Sequence, residues 1–254
     1  MKKIHFSFVL SMLFLGLTAV VLISCRKYVD YVEESPRVEL ICELNIPGGC
    51  FDQWQMWDDG YGNKCLEPAG NYLRTLNYLN TLPTAAGGPG PTTTTNTPDS
   101  YSGSNAALLT TKIFLVQGTP IVIPGLVGTD SLDISNQTIR VGKRYTQKPL
   151  KFQGYYKYEP VNGDSALISV LLSKFNTGTA KRDTLGLGRL VIKGAVSSYT
   201  FIDLPINYPV TDVTPDSLTL LICSSAGINF KELMHCQGQI GSNLWIDEIS
   251  FVMP

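Results

Sequence analysis

The segment Leu150–Asp164 (LKFQGYYKYEPVNGD) indicates how this chain folds. Successive side chains of a β-strand point to opposite faces, so Phe152 and Tyr158 share one face while Tyr155 lies on the other. The Asn-Gly step near the end of the segment is a strong signal for a tight hairpin turn. A second run rich in apolar residues, Ser165–Lys174, follows this turn. The segment therefore predicts an antiparallel strand pair with one buried face.

A similar pattern of predicted strands and turns extends over most of the chain after residue 105. Short runs of Val, Ile, Leu, Thr, Tyr and Phe alternate with Gly, Pro, Asn and Asp, which is typical of strands joined by turns. Strands are predicted at Ala107–Val116, Ile139–Tyr145, Leu150–Glu159, Ser165–Lys174, Arg182–Lys193, Ser198–Ile206, Ser217–Ser224 and Asn243–Val252. Eight strands without crossover helices predict an all-β protein, an antiparallel β-sandwich of the jelly-roll class.

The last predicted strand contains a change of phase. Leu244 and Ile246 occupy even positions, whereas Ile249 and Phe251 occupy odd positions. One extra residue at the Asp247-Glu248 step would place all four apolar side chains on the core face. We therefore predict a β-bulge at this step.

The first 25 residues have the pattern of an exported lipoprotein. Lys2 and Lys3 precede an apolar run, Phe6–Ile23, as in a secretory signal peptide. The run ends in Leu22–Cys25 (LISC), which resembles a bacterial lipobox. A retained membrane helix is the alternative, because the run approaches the ~20 residues that span a bilayer. The terminal cysteine favours cleavage before Cys25 and its modification by diacylglycerol and palmitate-type acyl chains.

The chain accordingly divides into three parts. Residues 1–24 are the predicted signal peptide, 25–45 the lipidated N-terminus and tether, and 46–254 the β-sandwich, with a flexible loop at 83–105 rich in Gly, Pro and Thr. Asn71–Leu82 fits either a short helix or a strand and turn. Several acyl chains give stable anchoring, so the expected location is the outer membrane, facing the periplasm or the cell surface.

Charge and histidine content narrow the classes of function. Loss of Lys2 and Lys3 with the signal leaves 18 basic against 21 acidic residues, which argues against a nucleic-acid partner. Only His235 remains after cleavage, which excludes a histidine-rich metal site.

Five cysteines remain besides the lipidated one: Cys42, Cys50, Cys65, Cys223 and Cys236. Compartments beyond the inner membrane permit disulfides. We predict that Cys223 pairs with Cys236 and that one pair forms among the other three. The absence of a C-x-x-C pair argues against zinc.

Four segments together resemble a known family. They are Leu150–Asp164, Tyr199–Tyr208 (YTFIDLPINY), Ser224–Gly227 (SSAG) and Gly241–Ile249 (GSNLWIDEI). They resemble the putative carbohydrate metabolism domain, which occurs in lipoproteins of sugar-degrading bacteria. Weaker matches at Phe51–Trp57 and Tyr101–Thr111 extend the resemblance over Phe51–Val252. The inserted stretch Lys231–Gln239 and the N-terminal cysteines depart from the family pattern.

The resemblance implies a galactose-binding-like β-sandwich linked to carbohydrate. It supplies no catalytic residues, since none is established for the family. Among the residues themselves, Trp54, Trp57, Tyr61 and Tyr155 are candidates for stacking on a sugar. Core packing is the alternative for each ring.

Acidic residues suggest a structural calcium ion as the only expected cofactor. Asp247 and Glu248 on the last strand, with Asp52 from the N-terminal part, would supply oxygen ligands. The alternative is that these carboxylates accept backbone amides or lie on a solvated edge.

These patterns predict a membrane-anchored, carbohydrate-binding lipoprotein that assists glycan binding or utilisation, with a glycan and proteins of a glycan-uptake system as partners. A glycoside-active enzyme is one alternative, but no spacing singles out a carboxylate pair. A structural or adhesive surface subunit without a sugar site is the other.

Overall fold

The computed structural model describes residues 45–58, 64–82, 88–129, 131–133, 138–140, 142–209, 212–228 and 236–254. All of them belong to one compact unit, residues 42–254. The predicted signal peptide and tether, Cys25, Cys42, Tyr61 and His235 lie outside the described residues. Within the described ranges, no helix is long and apolar enough to cross a membrane.

The described residues form short and long strands and one 3-10 helix, Leu76–Thr81. The strands are β1 Trp54–Asp58, β2 Lys64–Pro68, β3 Arg74–Thr75, β4 Thr94–Thr97, β5 Ala106–Thr110, β6 Lys112–Val116, β7 Thr119–Ile123, β8 Leu126–Gly128, β9 Ser131–Asp133, β10 Thr138–Arg140, β11 Lys143–Arg144, β12 Lys151–Glu159, β13 Ser165–Asn176, β14 Lys181–Lys193, β15 Val196–Pro205, β16 Ser217–Cys223 and β17 Asn243–Val252.

Two antiparallel sheets make up the sandwich. Sheet I has the strand order β14-β13-β16-β8-β3, with β11 also paired to β16. Sheet II has the order β15-β12-β17-β5-β4. Strands β1–β2, β6–β7 and β9–β10 form separate two-stranded ribbons. This architecture confirms the predicted all-β antiparallel sandwich.

The main core lies between the two sheets. Sheet II contributes Phe152, Tyr158 and Ile202, and sheet I contributes Ile168 and Leu218, each no more than 1% exposed. Their alternation with outward-facing neighbours follows the period of two that β-strands impose. The buried Phe152 and Tyr158 confirm the predicted inner face of β12, and Tyr155 is therefore directed to the outer face of sheet II.

The predicted β-bulge in β17 is present. Where β12 advances from Gln153 to Tyr155, its partner strand advances three residues, between Ser250 and Asp247. Glu248 adopts a positive φ of 51° at this point. The four apolar side chains on either side of the step are all buried, as predicted: Leu244, Ile246, Ile249 and Phe251.

The single strand predicted at Ala107–Val116 is instead two strands, β5 in sheet II and β6 in a separate ribbon. Buried Thr111 lies at the break, and its hydroxyl bonds to the hydroxyls of Ser224 at 2.8 Å and Ser225 at 2.6 Å. These contacts lie outside any strand ladder, and strand patterning does not reveal them. Similarly, the strand predicted at Ile139–Tyr145 contains β10 and β11.

Part of the loop predicted at 83–105 is a strand. Buried Asn77 accepts the backbone N–H groups of Thr93 and Thr94 and donates to the Thr94 and Leu66 carbonyls. The Asn77 side chain thus supplies hydrogen-bond partners to the backbone on one side of the Thr-rich stretch. On the other side, β4 pairs with β5. A single buried side chain therefore orders a segment whose composition indicated a loop.

Candidate functional site

Five aromatic side chains gather on the outer face of sheet II and on the loop after β4. We call this cluster the aromatic surface; it consists of Tyr101, Tyr155, Tyr199, Phe201 and Trp245. Tyr155 of β12 and Phe201 of β15 are direct cross-strand neighbours with ring centroids 5.3 Å apart. Trp245 of β17 lies opposite Lys157 of β12. Strand pairing thus brings rings from three strands onto one face.

Tyr101 covers Tyr155. Their ring centroids are 3.5 Å apart and their planes differ by 11°, while Tyr199 meets Tyr101 edge-on at 6.0 Å. Tyr101 is 47% exposed and Phe201 is 49% exposed. The hydroxyl contact with Tyr101 raises the pKa of Tyr155, and burial is the main cause that raises the pKa of Tyr199. Tyr155 and Tyr199 are therefore neutral, and Tyr101 and Phe201 are the exposed rings of the cluster.

Lys157 joins two of the rings. Its ammonium lies 4.9 Å from the ring centroids of both Tyr199 and Trp245, a cation–π arrangement on two sides. The same ammonium forms an ion pair with Asp99, whose backbone carbonyl accepts the Tyr199 hydroxyl at 2.6 Å. The lysine and its carboxylate therefore form one polar edge of the aromatic surface.

A second polar edge lies beside Phe201. Asp203, two residues further along β15 and on the same face, accepts Lys151 Nζ at 2.8 Å and Gln153 Nε2 at 3.1 Å. These hydrogen bonds lower the pKa of Asp203. Exposed rings thus have charged and amide side chains on two sides.

The loop that carries Tyr101 is held by a buried carboxylate. Asp247 is fully buried, and its Oδ2 accepts the backbone N–H groups of Tyr101 at 2.8 Å and Ser102 at 3.1 Å. Its Oδ1 accepts the N–H of Glu248 at 2.9 Å. Burial raises the pKa of Asp247 to about 6, although the three N–H donors oppose this change.

Asp52 holds the same loop at a second point. Its Oδ1 accepts the N–H of Ser104 at 2.5 Å, the Ser104 hydroxyl at 3.1 Å and the N–H of Asn105 at 3.1 Å. The pKa of Glu248 is raised by burial and then by the charge of Asp52. The carboxyl groups of Asp52, Asp247 and Glu248 therefore lie near the same loop.

The structure brings together the three residues predicted to bind calcium, but in another role. The oxygens of Asp52 and Asp247 accept backbone amides, which is the alternative that the sequence left open. The described residues contain no group of three or more His, Cys, Asp or Glu side chains arranged to hold a metal ion. A structural calcium ion is therefore not supported by this arrangement.

Trp54 and Trp57 contact residues that do not belong to the aromatic surface. Trp54 packs on the main core and donates Nε1–H to the Phe51 carbonyl at 2.8 Å. The Trp57 ring lies 5.3 Å from the guanidinium carbon of Arg74. For Trp54 the core alternative therefore holds, and of the described stacking candidates only Tyr155 belongs to the aromatic surface.

Sequence reasoning missed four members of the aromatic surface. Tyr199 and Phe201 alternate with buried Ile202 along β15, and Trp245 alternates with buried Ile246. Strand parity was a usable signal for these three rings. Tyr101 lies outside any strand, so no periodicity marks it.

The described cysteines include both disulfide-bonded and thiol forms. Cys50 is disulfide-bonded. Cys223 and Cys236 are buried thiols, so the structure does not show the disulfide predicted between them. Cys65 is buried as well, and its Sγ lies 3.5 Å from Glu67 Oε1.

Comparison with known proteins supports the fold. No protein-family model matches the chain, and no curated protein matches it. A "putative glycoside hydrolase" from Bacteroides vulgatus ATCC 8482 is 18% identical, with a TM-score of 0.60 over 80% of this chain and 96% of that one. A "putative glycoside hydrolase" from Bacteroides thetaiotaomicron VPI-5482 is 16% identical, with a TM-score of 0.58 over 83% of this chain and 70% of that one. At these identities the likeness shows a shared β-sandwich fold.

Proposed function

We propose that this chain is a lipoprotein anchored through Cys25 whose β-sandwich binds a glycan on the aromatic surface. The observation that carries the proposal is the pair of half-exposed rings, Tyr101 and Phe201, flanked by the polar groups of Asp99 and Asp203. Its role is accessory: it holds glycan at the membrane for other proteins of a glycan-handling system.

The chemistry of the aromatic surface suits a sugar. One face of a pyranose carries C–H groups that pack against an aromatic ring, while its hydroxyls need hydrogen-bond partners nearby. Carboxylates accept hydroxyl protons, and amides both donate and accept. Asp203 and Gln153 lie beside Phe201 and supply both kinds of group. An apolar platform with a few fixed polar groups is the usual composition of a small-molecule site.

Glycan binding is tested with soluble polysaccharides in affinity electrophoresis and with a glycan array, using the full-length chain. Tyr101→Ala and Phe201→Ala remove the two exposed rings, and each should weaken binding about tenfold. Phe175→Ala is the matched control, because Phe175 is 48% exposed but belongs to β13 of sheet I. Uniformly flat binding by the unaltered chain would refute the proposal and favour a structural or adhesive subunit.

The lipid anchor has its own test. Intact-mass measurement of the chain purified from membranes should show cleavage before residue 25 and a mass increase equal to the acyl groups. Cys25→Ser should leave the protein without the mass increase from the acyl groups. An unmodified Met1 start in the unaltered protein would contradict this part of the proposal.

A glycoside-active enzyme is the second candidate. It is favoured by the fold shared with two solved structures that carry the name "putative glycoside hydrolase". Hydrolysis needs two carboxylates facing each other across the bound sugar. Asp99 and Asp203 are the carboxylates at the edges of the aromatic surface, so the double variant Asp99→Asn/Asp203→Asn should abolish any release of reducing sugar. Absence of sugar release by the unaltered chain from a polysaccharide panel rejects this candidate.

A further inference from the structure

We propose that the aromatic surface selects a neutral glycan and discriminates against chains that carry uronate or sulfate groups. The inference rests on the proposed function and names the ligand class of the same site. It is drawn from the charged groups around the rings and not from the shape of the cluster.

The cations at the aromatic surface already have carboxylate partners. Lys157 is paired with Asp99 and lies between two rings, with only 14% of its side chain exposed. Lys151 is paired with Asp203 at 2.8 Å. An anionic sugar would have to compete with a carboxylate that is already in place for each ammonium. Arg or Lys groups free to meet an anion are what recognition of a carboxylate or sulfate requires.

Further negative charge lies beneath the rings. Asp52, Asp247 and Glu248 gather under the loop of Tyr101, and the donors to the first two are backbone N–H groups and the Ser104 hydroxyl. Burial raises the pKa of Asp247 only to about 6, so this group is ionised at pH 7.5. Among the residues that the structure describes, Asp52, Asp247 and Glu248 therefore add carboxyl groups that no ammonium group is shown to pair with, next to the two carboxylates that pair with Lys157 and Lys151.

The excess of negative charge is large enough to measure. At about 8 Å in water, one unit charge changes the affinity for a like-charged ligand by about twofold at low salt. Three excess charges then give about tenfold, and added salt screens most of this effect beyond about 8 Å. Neutral sugars escape the repulsion, and their hydroxyl groups can donate to Asp99 and Asp203, whose carboxylates lie at the edges of the rings.

The test compares polymers that share a backbone and differ in charge. The probes are polygalacturonate and its carboxyl-reduced form, carboxymethyl- and hydroxyethylcellulose, and glucuronoxylan before and after carboxyl reduction. The full-length chain should bind the neutral member of any recognised pair about tenfold more tightly at low salt. The ratio should fall toward one in 0.5 M NaCl. Asp203→Asn should lower the ratio at low salt, whereas Asp183→Asn, at an exposed position of β14 in sheet I, should not change it.

Each outcome decides the inference. Preference for the acidic member of any pair, or a ratio that does not respond to salt and to Asp203→Asn, overturns the neutral class while the proposed glycan binding stands. Binding to none of the six polymers, combined with a flat glycan array, overturns the proposed function and the ligand class with it.

Discussion

Asp247 lies directly opposite Tyr155 in the β17–β12 pairing, and its carboxylate holds the loop whose Tyr101 ring stacks on Tyr155. One buried acid is thus linked to both halves of the stacked pair. As cross-strand neighbours, Asp247 and Tyr155 share the outer face of sheet II, and Asp247 is buried there with the amides of the Tyr101 loop on its carboxylate.

We therefore expect Asp247→Ala to displace Tyr101 from Tyr155 and to weaken glycan binding about as much as Tyr101→Ala. If Asp247 acts through Tyr101, the double variant should bind no more weakly than Tyr101→Ala alone. Tyrosine ring resonances measured by NMR report the stacking without any glycan. Losses that add fully in the double variant would show a general structural effect, and Asp52→Asn tests the loop at its second point if Asp247→Ala does not fold.

Gly154→Ala should destabilise the sandwich by about 1–3 kcal/mol. An added Cβ would lie 2.9 Å from Ile249 Cγ2 and 3.1 Å from the Asp247 carbonyl oxygen, where the β-bulge brings the two strands together. Urea denaturation measures the change in the free energy of unfolding. Gly178→Ala is the matched control, because its nearest neighbour within 4 Å is Asn176 Oδ1 at 3.3 Å. Equal stabilities of the two variants would contradict the close approach.

Glu67 should make stability depend on pH. Burial is the largest cause that raises the pKa of Glu67 from 4.5 to about 7, despite hydrogen bonds from Thr75. Because the folded state binds this proton more tightly than the unfolded state, its contribution is full below pH 4.5 and declines as pH rises to about 7. The total loss is about 3 kcal/mol. Glu67→Gln should flatten this part of the pH profile.

The measurement for Glu67 is urea denaturation at a series of pH values between 4 and 8. Glu159→Gln supplies the control, because Glu159 is exposed at the end of β12. A profile of Glu67→Gln parallel to that of the unaltered chain would contradict the assignment to this buried carboxyl.

Asn77→Ala should cost about 3 kcal/mol or more of unfolding free energy. The change removes the partner of the buried N–H groups of Thr93 and Thr94 and of the carbonyls of Thr94 and Leu66, and each such loss costs about 1–3 kcal/mol. Hydrogen exchange at Thr93 and Thr94 should accelerate more than at core strand β13. Asn207→Ala, at an exposed position, is the control. Unchanged exchange at Thr94 would show that β4 is ordered by other contacts.

Strand patterning predicted the parts of the fold in which the polarity of each residue indicates whether its side chain is buried. The bounds of β17 match the prediction at both ends, and those of β13, β14 and β16 differ by no more than two residues. The reason is alternation: buried and exposed positions follow each other along a strand, so the apolar residues report the buried face. The bulge was predictable on the same ground, because it is a defect in that alternation.

What the sequence by itself determined is the all-β sandwich, the phase of its strands and the outward direction of Tyr155. Only the tertiary structure decided that β15, β12 and β17 lie side by side, that Asn77 orders β4 and that Asp247 holds Tyr101 over Tyr155. The physical reason is range: alternation arises within one strand, whereas these contacts join residues 16 to 146 positions apart and depend on side chains whose partners leave no local pattern.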